Sequence, residues 1–281
     1  MSEVRQRWRL VFARDEDARY LSHLDAVHQW ERAFRRTDLP VATSEGFSPR
    51  PRLVFAAPLQ LGMLAEHDLA DLYLAERLTA PDLRLRLDAG LPRGYRLVDL
   101  FDVWVGEPAL APQLAAADYR LTLFNVEQRA LDESIGRVLA ASELPRERRR
   151  ETKTTAYDLR PLILDLRACT PDVGASGVAG DGATDGASDG ATDGATDGAA
   201  PLAGLWMRLR HSQDRGSGRP DEVVAALAAE LGFDSYSTAD DDTAGGETPA
   251  ETAAAPARPV LEVVRPVRER LWLSAELEPA G

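Results

Sequence analysis

The 281 residues contain one cysteine, Cys169, and one lysine, Lys153, among 33 basic side chains. A single thiol excludes an intramolecular disulfide framework and any all-cysteine metal or iron–sulfur site built by this chain alone. Long apolar runs are also missing. The stretch from Leu53 to Leu61 is too short and too interrupted to cross a bilayer. The start, MSEVRQRWRLVFARDED, lacks the apolar core of a signal peptide. A cytoplasmic protein with no membrane partner is expected. Histidines number only four, and His23 and His28 stand five residues apart, whereas two helical metal ligands favour i and i+4. No metal and no cofactor are expected.

Positive charge is scarce overall. Forty-six acids against 33 bases give a formal charge of −13, which argues against DNA as a partner. The acid is unevenly placed, however. Residues 171–200 hold six Asp and residues 234–251 hold four Asp and two Glu, with no base in either stretch. Setting aside those twelve charges leaves −13 + 12 = −1 for the rest. The first stretch runs DGAT, DGAS, DGAT, DGAT from Asp181, without one large apolar side chain. Such a repeat buries too little surface to offset its ordering entropy. Disordered acidic insertions are expected at about 171–201 and 236–257.

With the insertions set aside, one pattern of strands and helices occurs twice. Trp8–Ala13 alternates as a strand, and Ser22–Asp38 has helical periodicity behind a capping-box-like Ser22 and Asp25. Extended stretches at Arg52–Leu59 and Leu69–Ala75, a helix near Pro81–Ala89 and a strand at Tyr95–Val103 complete a βαββαβ unit. In the second half, strands are expected at Tyr119–Phe124, Thr154–Leu166, Leu205–His211 and Val260–Leu273. Helices are expected at Glu127–Ser142 and Pro220–Leu231. The fold class expected is α+β: two ferredoxin-like domains in tandem, 1–112 and 113–281, the second carrying the insertions.

Two stretches concentrate chemistry. Arg19-Tyr20-Leu21-Ser22-His23-Leu24-Asp25 sits where the first strand passes into the first helix, and Ser44 to Arg52 (SEGFSPRPR) fills the loop before the second strand. Pro49 and Pro51 stiffen that loop. Arg50 and Arg52 offer cations to a phosphate and Phe47 offers a stacking face, with Ser44 and Glu45 beside them, a common way to hold single-stranded RNA. The bland alternative packs Phe47 in the core and leaves the arginines solvated or paired with Glu45. The expectation is that the loop folds back over the start of the first helix, placing His23 and Asp25 in one cationic pocket. Arg35 and Arg36 extend a basic helix face. A second cluster, Arg146 with Arg148, Arg149, Arg150 and Lys153, precedes Arg160. It reads either as a solvated helix end or as a phosphate-contacting edge.

At SHLD, ERAFRR, SEGFSPRPRL and PLQLGM the chain resembles the radical-SAM-linked proteins, a bacterial domain family of unassigned function. The resemblance runs from Arg9 to about Asp71, with a weaker echo at Lys153 and Asp158-Leu159-Arg160-Pro161; the family pattern has His where Arg50 stands and Asn where Ser48 stands. The resemblance implies a radical SAM protein as partner, on a separate chain because no three-cysteine motif is present here. It also implies RNA as the substrate class, through the family's association with ribonuclease E/G-type genes. The leading expectation is a non-catalytic accessory that binds or presents RNA. One alternative is an RNA-cleaving or RNA-modifying enzyme using His23 as acid or base. The other is a structural adaptor whose contacts are all with protein.

Overall fold

A computed structural model describes residues 3–45, 47–150, 153–172, 202–212, 214, 216–233, 235–238 and 260–277. The Asp-Gly repeat and most of the second acidic stretch lie outside the described residues. The described residues reach into both expected insertions: Asp172 bonds Thr122, and Tyr236–Thr238 forms a strand.

In β1 (Gln6–Arg14), Trp8, Leu10 and Phe12 point into the core while Arg7 and Arg9 face the other side of the sheet. Helix α1 (His23–Arg36) starts at Ser22, whose hydroxyl accepts from the Asp25 amide and donates to the Asp25 carboxylate. Its buried residues, Ala26, Trp30, Ala33 and Phe34, recur at three- and four-residue steps and lie against the sheet. β2 (Leu53–Phe55) and β3 (Leu64–Leu74) follow, then α2 (Ala80–Gly90) and β4 (Tyr95–Val103). α2 is helical although Leu83, Leu85 and Leu87 alternate. Thr79 caps it, Leu83 and Leu87 form a buried i,i+4 pair, and Leu85 stays exposed.

The second half runs β5 (Leu114–Phe124), α3 (Gln128–Ala140), a hairpin of β6 (Pro145–Arg150) and β7 (Lys153–Asp158), then β8 (Ile163–Cys169), β9 (Leu202–Ser212) and β10 (Gly216–Ser217). It closes with α4 (Pro220–Leu231), β11 (Tyr236–Thr238), β12 (Leu261–Leu273) and a single turn, α5 (Ser274–Leu277). Pairing in the first half runs β2-β3-β1-β4, all antiparallel. Pairing in the second runs β8-β9-β5-β12, again antiparallel.

The halves are not separate sheets. β12 lies parallel to β3, with Val267 opposite Leu64 and Arg270 opposite His67, so ten strands form one mixed sheet. Two ferredoxin-like domains in tandem were expected; the sheet instead runs on from one half to the other, because the edge of β3 left free beyond the short β2 admits β12. The strand changes neighbours at Arg265 and Pro266. Its first residues pair with β11 and its later ones with β3, and Arg265 takes a left-handed φ of 49° at the break. Proline cannot donate to a ladder, so an irregularity there is expected. Glu16 and Asp172 hold the Arg265 guanidinium.

Helices α1 to α4 cover one face. Two apolar clusters fill the space beneath them, one around Trp8, Leu10, Trp30 and Leu72, the other around Leu121, Leu131, Leu205 and Leu227. Ala56, Ala57 and Met63, between β2 and β3, belong to the second cluster, so the halves share core as well as sheet.

Candidate functional site

The two chemistry-bearing stretches do not meet. Val41 bridges Leu74, which pairs with Gln6 at the beginning of β1, whereas His23 follows Arg14 at its end. Nine strand residues separate those ends by about 27 Å. The loop 44–52 folds on itself instead: Thr43 bridges Pro51, and the Arg50 amide donates to the Ser44 hydroxyl. Among the described residues no hydrogen bond or ion pair joins residues 44–52 to His23 or Asp25, and the ladder of residues 41–43 starts the loop near the beginning of β1. Phe47 stands fully in solvent, as do Glu45 and Arg50, so the bland expectation of a buried Phe47 fails too. Arg52 lies 4.0 Å above the ring of Tyr73. Gly46 lies outside the described residues.

At the start of α1, Asp25 is engaged with Ser22, and His23 sets its ring edge-on to Phe55 at 5.7 Å. Asp25 is committed to the cap and has no hydrogen bond to His23 among the described residues. Arg35 is exposed, and Arg36 donates to the Gly90 carbonyl.

The second basic cluster is strand β6, not a helix end. Pairing with β7 places its residues opposite Thr154, Thr155 and Ala156, a β-branched and small partner strand. Arg148 forms a forked pair with Glu222 at the first turn of α4, donates to the Ser217 carbonyl and lies 4.7 Å above Tyr157. It fastens the hairpin to α4. Burial, with Glu222 beside it, pushes the Tyr157 phenol up to about 12 and keeps it neutral. Arg160 is spent on the carbonyls of Leu139 and Ile163. The side chains of Arg149, Arg150 and Lys153 lie outside the described residues.

Among the described residues the largest array of cations on rings occupies the face of the sheet opposite α1 to α4, where the turn α5 also lies. Arg167 on β8 lies 4.1 Å from the Trp206 ring, and Arg208 on β9 lies 5.5 Å from Trp206 and 4.6 Å from Trp272. Arg270 on β12 lies 4.0 Å from the Trp272 ring and pairs with Glu276 of α5. Acids behind the ladder set its geometry. Asp118 accepts from Arg208 at 2.7 and 2.8 Å and from the Trp272 indole at 2.8 Å, while Glu269 accepts from the Trp206 indole. Arg167 and Arg270 keep their outer faces in solvent. Next to the ladder a groove of about 450 Å³ runs between β4 and β12, with Val11 and Leu69 at its floor and Arg9, His67, Phe101 and Arg270 on its walls. Phe101 is half exposed.

None of Arg167, Trp206, Arg208, Arg270 or Trp272 stood out in the sequence. A signal was present: Trp206 and Arg208 alternate on β9, Arg270 and Trp272 on β12, each on the side opposite the leucines. Period-two spacing turns each pair onto one face, and the antiparallel pairings bring the pairs together.

Among the described residues no group of three His, Cys, Asp or Glu is placed to hold a metal. Burial pushes the Cys169 thiol up, which disfavours the thiolate. No helix of the described chain is long and apolar enough to cross a membrane. A bacterial family described as "Uncharacterized protein conserved in bacteria (DUF2344)" matches residues 7–184. The chain belongs to this family. The DUF2344 match covers β1 to β8, and with them Arg14, His23, Tyr95 and the loop 44–52. Four of the five ladder residues, on β9 and β12, lie beyond the DUF2344 match. No curated protein matches the sequence.

Proposed function

We propose that this protein is a non-catalytic accessory that holds single-stranded RNA on the face of its sheet opposite α1 to α4 and presents it to a radical SAM protein on a separate chain. The observation that carries the RNA reading is the ladder Arg167–Trp206–Arg208–Trp272–Arg270. Splayed bases stack on guanidinium planes as well as on rings, and the same cations serve the phosphates. The groove beside it, apolar at Val11 and Leu69 and carrying Asp99 and Glu276 as well as Arg9 and Arg270, is of a size to take a base. We read each half, with its fourth strand beside its first and its third beside its second, as a ferredoxin-like unit, an architecture that leaves one sheet face free. The radical SAM partner rests on the resemblance at SHLD and SEGF alone.

Fluorescence anisotropy with a labelled mixed-sequence RNA oligonucleotide tests the reading. Binding is expected to weaken steeply with salt. The double reversal Arg167→Glu with Arg270→Glu, both at exposed side chains, is expected to reduce affinity at least about tenfold. It should also flatten the dependence of log K on log salt by about 1.4, near 0.7 per lost contact on a single strand. Reversing Arg35 and Arg36, on the helix side, should leave binding unchanged. Absence of salt-sensitive binding, or equal loss in the two variants, overturns the proposal.

A further inference from the structure

On the helix side of the sheet, at the start of α1, a cavity of about 20 Å³ is lined by Arg14, His23, Phe55, Asp68 and Tyr95. That space admits one or two oxygen atoms. Its polar walls are incomplete. Tyr95 is nine-tenths buried and Trp30 fully so; the Arg14 guanidinium and the Trp30 indole N–H lie near the Tyr95 hydroxyl without closing a hydrogen bond of full geometry to it. The Trp30 ring lies 5.4 Å from Tyr95 and 5.8 Å from Phe55, both of which line the cavity. Arg14 is 4% exposed, and its guanidinium is held by the carbonyls of Arg19, Leu21, Gln60 and Met63. No carboxylate stands within ion-pair distance of it among the described residues. The nearby carboxylate of Asp68 is taken up by Arg268, at 2.6 and 2.7 Å.

We infer that this pocket binds an oxyanion group of a small ligand, entering past His23. The polarity of the walls selects an acceptor, since a guanidinium only donates, a phenol hydroxyl donates readily and the Asp68 carboxylate is already held by Arg268. The charge selects an anion: Arg268 and Asp68 cancel, Arg14 does not, and the N-terminus of α1, with His23 as its first residue, adds partial positive charge. A buried polar group without full hydrogen bonding destabilises a fold unless something meets it, and an oxygen against the Tyr95 hydroxyl would do so. The pocket lies across the sheet from the Arg–Trp ladder, so its test is independent of RNA.

The test uses the full-length protein with ¹⁵N-labelled tryptophan, the Trp30 indole signal being identified by its loss in Trp30→Phe. Sodium formate and sodium phosphate are titrated separately against sodium chloride at equal ionic strength. A saturable shift of the Trp30 indole signal with formate, phosphate or both, but not with chloride, is expected. Formate alone marks a carboxylate ligand and phosphate alone a phosphorylated one. Tyr95→Phe, which removes only the hydroxyl, should weaken that binding about tenfold or more, the effect of a hydrogen bond to a charged group. An unmoved Trp30 signal, an equal response to chloride, or Tyr95→Phe binding like the parent overturns the inference; the titration of the parent decides even if the variant fails to fold.

Discussion

Asp71 lies 1% exposed on β3, between Arg7 and Arg9 of β1, and accepts from both. Such a charge is tolerable only because it is shared; a neutral residue there leaves two buried guanidinium groups without an anion. Asp71→Asn is expected to lower the unfolding free energy by about 3–5 kcal/mol, read from urea denaturation. His211 behaves oppositely. Burial, reinforced by Arg268, holds its imidazole below the usual 6.5. The unfolded chain therefore takes up the proton first as pH falls, so this contribution to stability is complete above 6.5 and lost as pH drops towards the folded value. Melting temperatures followed from about pH 7.5 to 5.5 should fall more for the parent than for His211→Gln. At this scale the sequence was partly transparent. Ser22 and Asp25 announce a helix start by type and spacing, and they form one. Phe47 could not be placed, because its surroundings depend on where residues 41–43 join the sheet.

Element boundaries follow local rules where one rule dominates. α4 begins at Pro220 and β4 spans Tyr95–Val103, as periodicity and proline predict. The arginine run of β6 defeats that reading, since arginine is compatible with helix and strand alike; its state is set by the facing β7 and by Glu222 on α4. Arg148→Ala should therefore loosen the hairpin without melting the sheet. Amide exchange in β6 and β7 should rise while β5 and β9 stay protected, with a stability loss of about 1.5–3 kcal/mol, the value of hydrogen bonds to a charged group.

The repeated order of strands and helices was legible in the sequence, whereas the joining of the two halves was not. Nothing local in Val267–Arg270 specifies β3 as a neighbour two hundred positions away; the pairing exists because β2 ends early and exposes an edge. Cooperativity is the measurable result. Residues 1–112 alone would expose that edge and strip Ala56, Ala57 and Met63 of their core. The fragment is expected to lack dispersed amide NMR signals, while the full chain shows one calorimetric transition rather than two.

β12 lies between β5 and β3, yet among the described strands it is the last to be made. During synthesis, everything from β1 to β11 must wait on the ribosome with a gap in its middle until residue 273 has emerged. That interval exposes two unsatisfied backbone ladders facing each other, the state in which nascent chains are most open to pairing with the wrong neighbour. Chaperone dependence in the cell should thus follow the time taken to translate the stretch before this strand.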